Sequence, residues 1–373
     1  MHKKNHLLIL AQLPPPVHGA SVMNKLVVET CQSNHQLNVR TINISPVASI
    51  DDIGLFRAYK LIHSFKVFAK VAKALVFFPP TLVYFTIAPH GFAFFRDALI
   101  VTLVKFARVR RVLHLHGKGV AKNSQRHLLL HFLYKWTFSG ALVIALSEKL
   151  KADIANIVPN HQIRVVANGI DADAYTPSTE YRAPEAPLRV LFLSNMVRSK
   201  GPIVLLRALR ILKERQIAFC ADFVGPWLPE LSMQEFGKTV TELDLEEEVF
   251  CWGAQYDSNK QAFLKNADVL AFPTFYANEA FPLVILEAMA AGLPIVSTTE
   301  GGIPDMIVEG RNGFLAEPKH ALGIADALTW LAKRPSERKK MGAHSRLLFE
   351  EKYTLDIFTN AIGHIVSEGM SND

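Results

Sequence analysis

Thr274–Ile303 reads TFYANEAFPLVILEAMAAGLPIVSTTEGGI, and its alternation of elements decides the fold. Leu283 to Ala291 are strong helix formers, and Gly292 followed by Pro294 ends the run. Pro282 suits the first turn of that helix, where its missing N–H costs nothing. Ile295 to Thr298 read as a short buried strand, and Glu300-Gly301-Gly302 as a glycine-rich turn. Upstream, ADVLAFPT (267–274) reads as the strand that enters the stretch. A strand, a loop, a helix and a further strand in that order form one unit of a parallel α/β sheet.

Two glutamates bracket AFPLVIL: Glu279 in the loop before the helix and Glu287 one turn inside it. The N–H groups of Phe281, Leu283 and Val284 at the helix start lack intrahelical acceptors and form a seat for a phosphate. A carboxylate one turn in can accept hydrogen bonds from a ribose diol. Taken alone, carboxylates at this spacing more often mark an amphipathic helix and its cap. Two features weigh against that. Glu287 interrupts an otherwise apolar helix, LVILEAMAAG, and a buried carboxylate needs partners. The Gly-Gly turn also follows a strand's carboxyl end, where open α/β sheets bind ligands. The arrangement suits a nucleoside diphosphate bonded to a group with hydroxyls.

The stretch EAFPLVILEAMAAGLPIVST resembles the E-x7-E signature of the family-4 retaining glycosyltransferases, which have the GT-B fold, and the resemblance covers most of the chain. It implies an α/β protein of two Rossmann-like, doubly wound domains facing across a cleft. It also implies a hexosyltransferase-type enzyme that moves a sugar from a UDP- or GDP-sugar to an acceptor hydroxyl, with retention. No D-x-D-like metal site stands at a strand end, so no metal or other cofactor is expected. The Asp51-Asp52 pair reads as a helix cap.

Outward from that stretch, the 373 residues suffice for two domains, and 50% hydrophobic content gives each a core. Residues 172–187, ADAYTPSTEYRAPEAP, hold three prolines without periodicity and mark the boundary. The expected parts are 1–180, which binds the acceptor, 188–350, which binds the donor, and a tail from 351 to 373 that crosses back onto the first domain. Cys31, Cys220 and Cys251 have neither metal nor redox spacing and read as reduced core residues of a cytosolic protein. Residues 1–180 carry +12 and the rest −5 of the net +7, so the first half calls for an anionic partner. The apolar run LLIL near Met1 is too short for a signal peptide. Between Lys73 and Arg96 an uncharged run is long enough to span a bilayer, but Pro79, Pro80, Pro89 and Gly91 break it, and TLVYFTI within it reads as a buried strand.

In the first half, the loop PPPVHGA follows strand HLLILAQL, and Ser21 is the expected N-cap of the next helix. Gly19 before it reads as an ordinary turn or as a place where phosphate or sugar meets the backbone. Strand VLHLHG (112–117) ends at His116. A lone histidine is more often a core residue, but the resemblance places one in an HG pair against the donor sugar. In the second half, Lys200 lies in the loop after strand LRVLFLSN and reads as a surface lysine or a phosphate contact. The family pattern puts an Arg about five residues before this Lys-Gly pair; Asn195 stands there, and Arg198 is near enough to substitute. The resemblance thus assigns His116, Glu279 and Lys200 to catalysis. It assigns Gly19, Asn195, Arg198, Lys200, Phe281, Pro282, Leu283, Val284 and Glu287 to the donor.

Residues 56–78 and 96–111 mix Lys and Arg with Phe, Leu and Val. They are either core helices with solvated lysines or a face resting on an anionic membrane. A hydrophobic, basic first domain points to a glycan or lipid-linked acceptor of bacterial surface-polysaccharide assembly. The expected location is cytoplasmic, peripheral on the inner face of the membrane, with no nucleic-acid partner. The alternatives are a GT-B epimerase or phosphorylase-like enzyme, and a non-catalytic protein that binds membrane or nucleic acid. The dinucleotide fingerprint G-x-G-x-x-G is absent from the first strand–helix turn, which argues against an NAD enzyme.

Overall fold

The structure, a computed structural model, describes residues 5–45, 56–178, 183 and 186–371, with side chains between 56 and 60 left aside; Asp51 and Asp52 lie outside the described residues. The chain forms two compact units, one of residues up to Asn168 together with those from Asp356 onward, the other of Gly169–Leu355. Ile170 belongs to the second unit because its N–H donates to Tyr353 O and it bridges to Thr354.

The first unit runs β1 (Asn5–Ala11), α1 (Gly19–Ser33), β2 (Leu37–Asn43), α2 (Phe56–Phe77), β3 (Leu82–Ile87), α3 (Gly91–Phe106) and β4 (Arg110–Leu115). It continues with α4 (Val120–Ser124), α5 (Leu128–Phe138), β5 (Leu142–Ala145), α6 (Glu148–Lys151) and β6 (Ile163–Val165). All strands are parallel, in the order β2-β1-β3-β4-β5-β6. The uncharged run after Lys73 is split by β3, every residue of which is buried, as strands covered on both faces must be. No described helix is long and apolar enough to cross a membrane. One core binds Leu8, Val83 and Leu113 of the sheet to Val71, Phe94 and Tyr134 of α2, α3 and α5.

The second unit runs β7 (Leu188–Leu193), α7 (Pro202–Glu214), β8 (Phe219–Val224), α8 (Met233–Glu242), β9 (Val249–Gly253), α9 (Asp257–Asn266) and β10 (Val269–Phe272). Then come α10 (Leu283–Ala290), β11 (Ile295–Thr298), α11 (Ile303–Met306), β12 (Gly313–Ala316), α12 (Ala321–Ala332) and α13 (Pro335–Lys352); α14 (Leu355–Met370) follows and, from Asp356 onward, belongs to the first unit. Its sheet is also parallel, in the order β12-β11-β10-β7-β8-β9.

Two local expectations need correction. The cap of α1 is His18, not Ser21: His18 Nδ1 accepts from Ser21 N–H (3.2 Å) and Ser21 Oγ accepts from His18 N–H (2.9 Å), so the two close a capping box. Pro282 caps α10 from outside, in extended backbone (ψ 122°), instead of sitting in its first turn. Of the cations in 96–111, Arg96 belongs to the core: its Nε donates to Asp97 Oδ1 (2.8 Å) and Nη1 to Ile44 O (3.2 Å).

Candidate functional site

Each sheet reverses direction once, and the crevice lies where it reverses. In the second unit β7 leads to β8 and β9 on one side, and β10 returns on the other, so the loops after β7 and β10 diverge from neighbouring strand ends. Lys200 closes a 3-10 turn, Arg198–Lys200, in the first loop, and Glu279 lies in the second. The loops are held together tightly. Phe275 N–H donates to Ser199 O (2.8 Å), and a Cβ on Gly201, whose φ is +91°, would fall 2.1 Å from Pro273 O. Only glycine allows this approach.

The result is a short ion pair, Lys200 Nζ to Glu279 Oε2 at 2.7 Å. The Thr274 hydroxyl donates to the same oxygen (3.1 Å), and the ammonium sits over the Tyr276 ring at 4.7 Å. Glu279 is buried, so its charge is tolerated only with these donors. The Gly301-Gly302 turn clasps this loop from β11. Gly302 N–H donates to Ala280 O (2.7 Å), and a Cβ on Gly301 (φ +57°) would meet Glu279 O at 2.3 Å.

Glu287 faces a different set of partners. Lys260 Nζ of α9 lies 2.7 Å from its Oε1, and the Tyr175 ring lies beside the same ammonium, 5.9 Å from it. Burial, and then the adjacent Glu287 carboxylate, push the Tyr175 phenol above its ordinary range. Neither Lys260 nor Tyr175 was signalled in the sequence, since one lies in a polar helix and the other in a proline-rich linker. Between the two glutamates, Phe281 is buried against Tyr353, Pro282 is the cap, and Leu283 and Val284 open α10, which has no side-chain cap. Asn195 is exposed after β7, and its carbonyl accepts from Val197 N–H (2.8 Å). Arg198 forms an exposed ion pair with Glu235 of α8.

In the first unit the reversal falls between β1 and β3, beside β4. Gly19, exposed, is the first residue of α1. His116 follows β4 by one residue, and its ring lies 4.1 Å from that of His114. His114 is wholly buried, with Nδ1 2.5 Å from the Tyr84 hydroxyl. His116 Nε2 is enclosed and has no hydrogen-bond partner among the described residues. Burial, and then the nearby His18, lower its pKa to about 3, so it is neutral at ordinary pH. The loop beyond is fixed by Asp153, whose Oδ2 accepts from Gly119 N–H (2.7 Å) and Val120 N–H (2.9 Å) and whose Oδ1 accepts from Ala121 N–H (3.2 Å). No feature of the sequence around Asp153 marked this role. Among the described residues no three His, Cys, Asp or Glu side chains are grouped to hold a metal ion.

Residues 178–347 match the model of the Glycosyl transferases group 1 family, and residues 30–174 match that of Glycosyltransferase Family 4. This chain belongs to the family-4, group 1 glycosyltransferases. The Escherichia coli K12 protein WcaL, named for colanic acid biosynthesis, is 29% identical over 57% of this chain and 53% of its own length. A D-inositol 3-phosphate glycosyltransferase of Pseudarthrobacter chlorophenolicus is 33% identical over 48% of this chain and 44% of its own length. The chain thus spans about half the length of the curated relatives it matches. Anabaena HepE, solved with UDP, superimposes with a TM-score of 0.75 over 98% of this chain and all of its own, at 19% identity. That likeness is one of fold, and it gives this family-4 chain the GT-B class, with its two Rossmann-like units.

Proposed function

We propose that this family-4 chain transfers a sugar from a nucleotide-sugar donor to an acceptor hydroxyl, with retention at the anomeric carbon. The observation that carries this reading is the Lys200–Glu279 pair at the reversal of the second sheet, beside the uncapped start of α10. As the glycosidic bond breaks, negative charge grows on the leaving diphosphate. Lys200 would exchange Glu279 for that charge, and the N–H groups of Leu283 and Val284 would share it. These protein groups would take the part that a metal ion plays elsewhere.

Glu279, released from Lys200, would face the donor sugar, and Glu287 would hold the ribose diol with its carboxylate set by Lys260 and Tyr175. Arg198 would join the phosphate contact only by leaving Glu235. His116 would give its unpartnered Nε2 to a sugar hydroxyl once the His18 turn yields, with Gly19 close to the backbone path. UDP is the first donor nucleotide to test, because it is the one recorded with HepE. The name of WcaL, and the basic first unit, favour a lipid-linked glycan acceptor in surface-polysaccharide assembly, with the protein peripheral on the cytoplasmic face of the membrane.

Calorimetric titration of the full chain with UDP, GDP and NAD tests the donor reading. One nucleoside diphosphate should bind, and at about 100 times its dissociation constant it should raise stability by about 2.7 kcal/mol. Binding of NAD alone, or of none, overturns the reading. Release of free sugar from the donor at an undiminished rate without any acceptor would make the enzyme an epimerase- or hydrolase-type catalyst instead.

A further inference from the structure

We infer that the outer face of α3 and α5 inserts its aromatic and leucine side chains into an anionic bilayer, with α2 as the electrostatic flank. This deepens the peripheral placement proposed above and does not depend on the donor chemistry. The two helices share the sheet face covered by α2, and α3 touches both α2 and α5. Their inward residues, such as Phe94, Val101, Tyr134 and Phe138, fill the core. Their outward residues are also apolar. On α3 these are Phe92, Phe95, Leu99 and Phe106, spaced by three, four and seven residues along one side of the helix. On α5 they are Leu128, Leu129, Phe132 and Trp136.

The exposure is large: Phe106 is 77%, Leu128 78% and Leu129 83% open to solvent. Scattered exposed leucines need no explanation, but a contiguous group of this size on neighbouring helices marks an interaction surface. The group is also rigid. Lys105 Nζ donates to Trp136 O and Ser139 Oγ (both 2.6 Å), and Trp136 Nε1 donates to Thr102 Oγ1 (2.9 Å), so side chains tie α3 to the C-terminal end of α5.

Charge identifies the occupant. From Ile53 to Ser147 the sequence holds fourteen Lys and Arg and a single acid, Asp97, which is buried beside Arg96. Lys66, Lys70 and Lys73 are exposed on α2 among Phe65, Val76 and Phe77. A protein interface of ordinary composition is depleted in Lys and would leave these ammonium groups to be desolvated. Nucleic acid would pair with the cations but gives no place to aliphatic side chains as open as Leu128 and Leu129. An anionic membrane takes both, with apolar groups at the acyl boundary and ammonium groups at the headgroups. The apolar groups supply depth and the lysines supply attraction, so the two contributions separate by mutation.

The test uses the full chain with vesicles of phosphatidylcholine alone or with one third phosphatidylglycerol. Wild type should cosediment with the anionic vesicles only, and Trp136, the first unit's single tryptophan, should blue-shift. Combined Lys66→Gln, Lys70→Gln and Lys73→Gln should weaken binding roughly a hundredfold. Combined Phe106→Ser, Leu129→Ser and Phe132→Ser should weaken it roughly tenfold or more and abolish the blue shift, leaving only salt-reversible attraction. Circular dichroism and the UDP titration should be unchanged for both variants. The inference falls if wild type ignores anionic vesicles, binds neutral ones equally, or binds duplex DNA instead. It also falls if the serine variant inserts like wild type, or if the patch proves to be a self-association surface that the serine variant dissolves. Vesicle binding without UDP binding would sink the donor reading and leave the membrane surface standing.

Discussion

The two units share one sheet architecture and place their charges in opposite ways. In the second, cations near the strand ends are each matched by a carboxylate: Lys200 with Glu279, Lys260 with Glu287, Arg198 with Glu235. In the first, Lys66, Lys70 and Lys73 of α2 are exposed and pair with no acid among the described residues, while the groups at the crevice are the uncharged histidines His114 and His116. The difference shows that sheet topology fixes where a site lies but not its electrostatics. Matched pairs keep a charged site folded until a diphosphate replaces one partner. A uniform field acts at a distance and suits a surface, not a small ligand.

The comparison breaks most sharply at Lys200. Lys200→Ala should lower turnover at saturating donor by about 10²–10³-fold, the range for losing one donor aimed at developing charge. It should also destabilise the second unit, because Glu279 stays buried with only Thr274 as a partner. Adding Glu279→Gln should restore the melting temperature without restoring turnover. If the double variant recovers activity, or the single variant never lost it, the pair is structural and no diphosphate takes its place.

These pairs also show what could be read in the sequence. The alternation of strands and helices around 267–303 carried the fold, because apolar runs and glycine–proline stops are local signals. Glu279 and Lys200 were singled out by the family resemblance, while Glu287 stood out because it departs from its apolar setting. Their partners did not. Thr274, Lys260 and Tyr175 reach the carboxylates only through strand order and loop packing, which separate Lys260 from Glu287 by 27 residues. For Arg96 the sequence left core and surface both open. Its buried partner is the adjacent Asp97, and only the fold decides whether such a pair faces water or core. The outward row of α5 was missed because its apolar residues run all round the helix, so periodicity could not say which side was bare.

A smaller effect is expected at Glu287. Glu287→Ala should weaken binding of the preferred nucleoside diphosphate by about 1.5–3 kcal/mol, a charged acceptor lost to two hydroxyls. Its 2′,3′-dideoxy analogue should bind wild type and variant alike. Lys260→Met should fall between the two, since it leaves the carboxylate in place but lets it turn. Unchanged affinity for the ribonucleotide in Glu287→Ala would mean that Glu287 serves Lys260 and Tyr175 alone.

The smallest effect sharpens the contrast from the first unit's side, through pH. His116 is held at about 3 and His114 well below 6.5, both by burial first, while burial raises Asp97 to about 6. A histidine whose folded pKa is depressed contributes stability above 6.5, and that contribution is lost as pH falls toward its folded value, because only the unfolded chain takes up the proton. Asp97 acts the other way: between 3.8 and about 6 the native state keeps a proton that the unfolded chain releases. Two histidines against one aspartate leave about one net proton, so stability should fall by about 1.4 kcal/mol per pH unit between 6 and 4 from these three groups. His116→Phe removes one histidine and should bring that slope close to zero, whatever it does to stability at pH 7. Hydrogen exchange of amides in β3 and β4, corrected for intrinsic rates, reads the slope within the first unit. An equal slope in wild type and His116→Phe would mean that His116 is charged in the native state, and it would then stand in the crevice as a cation like Lys200 instead of a neutral hydroxyl partner.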